Sequence, residues 1–278
     1  MNDWSHPEIQ ALVQLALQED IGSGDVTSAT CVPADRTAVG SFYARADVIL
    51  AGIELLPMIY QLRGGLDELR LERHSGAQAV AGDRVAFVRG RARTLLECER
   101  VCLNFLQRLS GIATLAGKYA QAVSGSHCRV LDTRKTTPGL RRLEKLAAAA
   151  GGVTNHRLGL YDAILIKNNH ISAAGGVRAA LHKAQDCNLP IEIEVRTQAE
   201  LEEALACGAT NVLLDNLTPE QAAERILFIA GRAKVELSGN INLSTVRAYA
   251  ETGADFVSCG AITHSAVAAD FNFRIELA

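Results

Sequence analysis

The sequence predicts an α/β protein with a parallel sheet in its second half. Three observations predict it. Six short apolar runs, RVLDT (129–133), AILIK (163–167), IEIEV (191–195), NVLLD (211–215), KVELS (234–238) and FVSCG (256–260), each close on polar or small residues. Helical patterns separate them at 140–151, 175–187, 198–207, 219–231 and 243–252. Runs such as AILIK and NVLLD are apolar throughout rather than alternating, as strands covered on both faces are.

The earlier elements have another texture. In 7–20, PEIQALVQLALQED, the residues Ile9, Leu12, Val13, Ala16 and Leu17 mark one face of a helix, with Pro7 near its start. Ile21 to Asp25 is a turn cluster whose glycines serve the turn first, because no helix start is expected close behind them. From 36 to 93, TAVGSFYARADVILAG, LRLERHSGAQAV and DRVAFVRGRARTLL read as short strands punctuated by glycine. A helix over about 94–123 is expected to break near Ser110-Gly111. The regular strand–helix alternation that follows suggests closure into a barrel, although six strands are clear rather than eight. The competing architecture, a doubly wound open sheet, would want a GxGxxG after its first strand, and the sequence has none.

Composition excludes several classes. The chain is 48% hydrophobic and 21% charged, with a net charge of −3, so nothing global points to nucleic acid or an acidic membrane. No apolar run approaches a membrane-spanning length, and MNDWSHPEIQALVQLAL lacks the basic leader and apolar stretch of a signal peptide. The seven cysteines are odd in number and form no CxxC, which fits free thiols in a reducing compartment. The expectation is a cytoplasmic protein.

In parallel α/β folds the site lies at the C-terminal ends of the strands. Here those ends carry Asp132-Thr133-Arg134-Lys135, Lys167, Glu194, Asp215, Ser238-Gly239-Asn240 and Gly260. Charge is also segregated: bases dominate 129–167 and acids dominate 186–225. Arg141, Arg142, Lys145, Glu200, Glu202 and Glu203 are assigned to solvated outer helix faces. That leaves Arg134, Lys135, His156, Arg157 and Lys167 facing Glu194 and Asp215. Converging cations imply a ligand with several anionic groups, since buried charge needs partners. The two acids suit Mg²⁺ or sugar hydroxyls. Ser238-Gly239-Asn240 and Cys259-Gly260-Ala261 lie where barrel loops commonly hold a phosphate through backbone N–H groups. The residues alone thus point to a Mg²⁺-assisted enzyme acting on a phosphosugar and a carboxylate-bearing second substrate.

The motifs LDTRKTTPGLRRLEKLAAAAGG (131–152), NHRLGLYDAILIKNNHI (155–171), LLDN (213–216), ELSGNI (236–241) and GAITHS (260–265) closely resemble the quinolinate phosphoribosyltransferase family. EDIGSGDVTS (19–28) and ERVCLNFLQRLSGIAT (99–114) extend the likeness over nearly the whole chain. The resemblance implies an N-terminal α/β sandwich domain over 1–112, joined by 266–278, and an incomplete, open α/β barrel over 113–265. It implies phosphoribosyl transfer from phosphoribosyl pyrophosphate to quinolinate with loss of CO₂, in de novo NAD synthesis. It implies Mg²⁺ as cofactor and a homodimer paired head to tail, with dimer or hexamer left open.

Residue by residue, the resemblance assigns Arg134, His156 and Arg157 to the quinolinate carboxylates, with Thr133 in the same loop. Arg100 would be donated across the dimer interface into the partner's site. Lys135 and Lys167 lie near the phosphoribosyl pyrophosphate, and Glu194 and Asp215 near Mg²⁺ and the ribose. Segments 238–240 and 259–261 (Cys259, Gly260, Ala261) would hold the 5′-phosphate, with His264 nearby. Lys135, Lys167, Glu194 and Asp215 form the catalytic set. His170 in KNNH is read as orienting the loop after Lys167, and His74, His127 and His182 are given no role.

Three alternatives are weighed. One is the molybdenum-associated group that shares this architecture; LDTRKTTPG and LIKNNH favour the quinolinate enzyme over it. Another is a nicotinate or nicotinamide phosphoribosyltransferase, which would not release CO₂. The third is a non-catalytic barrel binding a phosphorylated effector, against which Lys167, Glu194 and Asp215 argue.

Overall fold

The computed structural model describes residues 3–277, which form two compact units. The first takes residues up to 117 together with 137–152 and those from 265 onward; the second takes 118–136 and 153–264.

The first unit opens with α1 (Pro7–Ile21) and α2 (Val26–Cys31). β1 (Thr37–Ala44), β2 (Val48–Ile49), α3 (Leu55–Gln61), β3 (Glu68–Leu71), β4 (Gln78–Ala79) and β5 (Arg84–Arg91) follow, then the long α4 (Ala92–Ala122). Alternation along β1 buries Ala38, Gly40, Phe42 and Ala44 on one face. A side chain at Gly40 would strike the Phe273 ring, so glycine there leaves room for the aromatic on the neighbouring strand. α4 lays its own buried stripe, Leu95, Cys98, Cys102, Leu106, Leu109, Ile112 and Ala116, at helical spacing. Each buried leucine contributes about 1.5–3 kcal/mol of apolar transfer. Cys98 and Cys102 are core residues, and burial pushes the Cys98 thiol up to about 12.

The second unit holds β6 (Arg129–Leu131), with α5 (Arg141–Ala150) next in the chain. Then come β7 (Ile164–Ile166), α6 (Asn168–Ala174), α7 (Val177–Gln185), β8 (Ile191–Val195), α8 (Gln198–Ala206) and β9 (Asn211–Asp215). α9 (Pro219–Ile229), β10 (Lys234–Ser238), α10 (Val246–Ala250), β11 (Phe256–Ser258) and α11 (Ala261–His264) complete the unit, and β12 (Phe271–Leu277) returns to the first. All six of its strands are parallel, in the order β6-β11-β10-β9-β8-β7. The first strand, β6, pairs with the last rather than with β7, so the sheet curls into an open barrel with β6 and β7 at its free edges. In the first unit β12-β1-β5-β3 make an antiparallel sheet, and β2-β4 a small ribbon. Helix starts are written locally: Thr197 with Glu200 and Thr218 with Gln221 form capping boxes, and Pro219 follows its cap. Among the described residues, no helix is long and apolar enough to cross a membrane.

Four sequence expectations need correction. α4 is continuous through Ser110-Gly111. Ser110 is buried and accepts the Ala51 amide at 3.0 Å, while a side chain at Gly111 would strike the Val267 carbonyl. The pair is a packing notch rather than a break. A helix does follow the IGSGD turn: Asp25 caps α2 by accepting from the Ser28 amide at 2.9 Å. The helical pattern at 140–151 is real, but α5 counts with the first unit rather than with the barrel. Finally, Lys145 is not on a solvated face. It is 1% exposed and its neighbour Glu144 is 0% exposed. Glu144 takes a 2.7 Å ion pair from Arg108 and the Thr137 amide at 3.0 Å.

Candidate active site

The parallel registers sort the barrel residues by face. Glu194 pairs with Leu213 and Leu213 with Glu236, while Leu165 pairs with Glu192 and Asp215 with Ser238. Paired residues on parallel strands point to the same side, and so does every second residue along a strand. Lys167, Glu192, Glu194, Asp215, Glu236 and Ser238 therefore share the inner face.

A cavity of about 560 Å³ opens at the strand ends, and Thr133, Arg134, Lys135, His156, Arg157, Lys167 and Ser238 all line it. The cations read from the sequence are thus brought together. Arg157 is lowered from the usual guanidinium range by burial and then by the charge of Arg134, so the two stand close enough to repel. Such a pair favours an anion between them. Arg157 is steadied by donating to the Ala163 carbonyl at 3.0 Å. Its loop is closed by Asp162, which accepts the amides of Leu158 and Gly159 at 2.6 and 3.0 Å.

Lys167 lies 3.7 Å from Glu194, whose other oxygen accepts from Asn168 at 2.9 Å. His170 accepts the Lys167 amide at 2.9 Å, the orienting role expected of it. The backbone of Lys135 is tied down where its carbonyl accepts from Thr263 at 2.8 Å. Gly260 lies beneath the Lys135 side chain, where a β-carbon would come within 2.9 Å, and beside His264. Ala261 opens α11, and Cys259 is buried, its amide donating to Leu131 at 3.0 Å. Arg100 is not among the residues lining this cavity; it is exposed on α4, in the first unit.

Asp215, Gly239 and Asn240 meet at the ends of β9 and β10. Asn216 and Asn240 both adopt left-handed backbone, φ 58 and 53, and Gly239 has φ 97. The Asn216 amide donates to the Ser238 carbonyl at 2.9 Å, and its side chain donates to Asp215 at 2.7 Å. Such backbone is strained outside glycine and persists where the surroundings hold it. A β-carbon at Gly239 would stand 2.6 Å from the Asn216 amide nitrogen. Gly239→Ala is therefore expected to destabilise the protein by about 1–3 kcal/mol, read as a lowered thermal midpoint, and to lower turnover with it.

The sequence reading placed Asp132 at a strand end without a role and did not single out Glu192 or Glu236, of which Glu236 lines the cavity. Asp132, fully buried at the end of β6, accepts the His156 amide at 2.8 Å and the Asn155 side chain at 2.6 Å. Glu192 and Glu236 each place a carboxylate oxygen 3.3 Å from His156 Nε2. The signal was present, since each lies two residues before a residue already singled out (Glu194, Ser238) and so on the same face. Their convergence is across strands, and no spacing encodes it. Burial pushes His156 down, but hydrogen bonds to Glu192 and Glu236 outweigh it and hold the proton on Nε2. Nδ1, however, accepts the Arg157 amide at 2.7 Å and so bears no proton in this arrangement. The geometry selects the tautomer with hydrogen on Nε2, directed at the two acids. Burial raises Glu192, and the charge of Glu236 adds to it against the opposing pull of His156.

Two family models match the chain. The quinolinate phosphoribosyl transferase N-terminal domain matches residues 25–110 and the C-terminal domain matches residues 112–274. The decarboxylating quinolinate phosphoribosyltransferase 1b of Nicotiana tabacum is 38% identical, over 98% of this chain and 84% of that protein. Among solved structures, NadC from Streptococcus pyogenes is 38% identical with a TM-score of 0.92, covering 98% of this chain and 97% of that one. The nicotinate-nucleotide pyrophosphorylase of Francisella tularensis is 36% identical with a TM-score of 0.90, covering 98% of each chain.

Proposed function

This chain belongs to the quinolinate phosphoribosyltransferase family, and from that membership we propose how its open barrel performs the reaction. The activity is transfer of the phosphoribosyl group of phosphoribosyl pyrophosphate to quinolinate with decarboxylation, yielding nicotinate mononucleotide, pyrophosphate and CO₂. The observation that carries the site assignment is the sharing of one cavity by Arg134, Arg157, Lys135 and Lys167, with Glu194 beside Lys167.

Arg134 and Arg157 hold the adjacent carboxylates of quinolinate, whose two negative charges relieve the repulsion between the guanidiniums. Lys135 and Lys167 face the pyrophosphate and ribose. The strained turn at 238–240 and the segment 259–261, with His264, take the 5′-phosphate through backbone N–H groups. With the anions so placed, the pyridine nitrogen attacks the anomeric carbon as the bond to pyrophosphate breaks. The alkylated nitrogen is then cationic. Its positive charge stabilises the electron pair left on the neighbouring carbon as the 2-carboxylate departs as CO₂, and that carbon takes up a proton. The chain forms no covalent bond to substrate. It binds and orients, and orientation alone can supply about 7–11 kcal/mol.

The donor set fits Mg²⁺. Glu194 and Asp215 offer oxygen only, on neighbouring strands and the same face, and such a cation is usually held by one or two carboxylates together with substrate phosphates. When bound, Mg²⁺ would neutralise charge developing on the pyrophosphate. Two copies pair as a homodimer, the smallest assembly in which Arg100, exposed on α4, can serve a second copy's site. Cytoplasmic residence suits the seven cysteines, all free.

The test is to incubate the protein with quinolinate labelled at the 2-carboxylate, phosphoribosyl pyrophosphate and Mg²⁺. Labelled CO₂ and nicotinate mononucleotide in equal amounts are expected. Product from nicotinate instead, with no CO₂ from quinolinate, would overturn the assignment.

A further inference from the structure

Two acids on the inner face of the barrel, Glu236 buried and Glu192 partly so, are not used by the reaction as derived above. Glu236 is 3% exposed, and Glu192 and His156 have side chains 16% exposed. Glu192 stands on β8 and Glu236 on β10, with β9 between them, and both reach His156 Nε2. The ring's other nitrogen is occupied as well, since it accepts the amide of Arg157. Neither nitrogen is left to grasp a substrate carboxylate, which is the role the family resemblance gives His156. The ring instead ties the floor of the barrel to the backbone of the residue that follows it. Asp132 holds the same peptide from the other side, through the His156 amide.

Resting on the quinolinate reading, we propose that Glu192 and Glu236 are positioning residues for quinolinate. They clamp the His156 ring, and the ring sets the backbone from which Arg157 extends its guanidinium beside Arg134. Glu192 does not line the cavity, and Glu236, which does, directs its carboxylate at the ring. The clamp spans three strands, so it fixes the Arg157 backbone against the sheet rather than against a loop. The clamp serves one substrate and not the other, because the lysines and the 238–240 turn are anchored elsewhere, through Thr263, His170 and Asn216.

The experiment is steady-state kinetics of Glu192→Ala, Glu236→Ala and Glu236→Gln, with quinolinate and phosphoribosyl pyrophosphate varied in turn. Each alanine variant is expected to raise the KM for quinolinate about 10- to 100-fold while the KM for phosphoribosyl pyrophosphate stays within about twofold. Glu236→Gln keeps an oxygen that accepts the Nε2 proton, and it is expected to recover most of the loss. In a His156→Asn background, Glu236→Ala is expected to change the quinolinate KM no further, because its effect passes through the ring. A partly unfolded preparation lowers kcat but not KM, so the readout survives a loss of stability. An unchanged quinolinate KM in both alanine variants overturns the clamp, as does an equal rise in both KM values. An inactive parent protein would instead overturn the quinolinate reading itself.

Discussion

Arg134→Ala is expected to lower kcat/KM for quinolinate by two to three orders of magnitude, with the melting temperature little changed. Arg134 lines the cavity near enough to Arg157 to depress it. Removing one guanidinium leaves a substrate carboxylate facing the apolar wall formed by Leu165 and Leu213. Truncating one side of a desolvated charge pair costs about 2–5 kcal/mol, and each 1.4 kcal/mol is about tenfold. The measurement pairs initial rates with thermal unfolding in the absence of substrate. Activity near the parent level would count against the cavity as the quinolinate site.

Arg108→Ala is expected to have the opposite profile, with a large loss of stability. Arg108 donates to Glu144 at 2.7 Å and also to the Ala266 carbonyl and Thr137 Oγ1, at 3.0 and 3.3 Å. Glu144 is fully buried, so the variant leaves a carboxylate in the interior without the guanidinium. Breaking a buried pair from one side costs about 3–5 kcal/mol. For a chain of this size that lowers the melting temperature by roughly 6–10 °C. Replacing both members, as Arg108→Met with Glu144→Leu, should recover much of the loss, because a volume-matched apolar pair carries no desolvation penalty. A single variant that melts with the parent would show that water or a neighbouring group takes over the charge.

Much of the site could be read from strand ends. Lys167, Glu194 and Asp215 each close an apolar run, and in a parallel sheet that register alone sends them toward one rim. A barrel was legible for the same reason, six runs at regular steps with no glycine-rich turn after the first, while its openness was an expectation of the family resemblance. Less could be read where two elements meet. Ser110-Gly111 has the composition of a helix break, yet it serves contacts to Ala51 and Val267, distant in the chain. Glu144 and Lys145 look like a solvated helix face, because burial of a charged residue depends on a partner that helix periodicity does not reveal.

The sequence by itself determined the six strands of the second half, their parallel direction and the rim on which the charged residues gather. All of these follow from local periodicity and the two-residue alternation of strands. The tertiary structure alone decided that Glu192 and Glu236 converge on His156, that β6 closes against β11 rather than β7, and that Glu144 is buried with Arg108. These depend on which strands and helices become neighbours in space. That outcome is settled by packing across the whole core, and no short segment carries it.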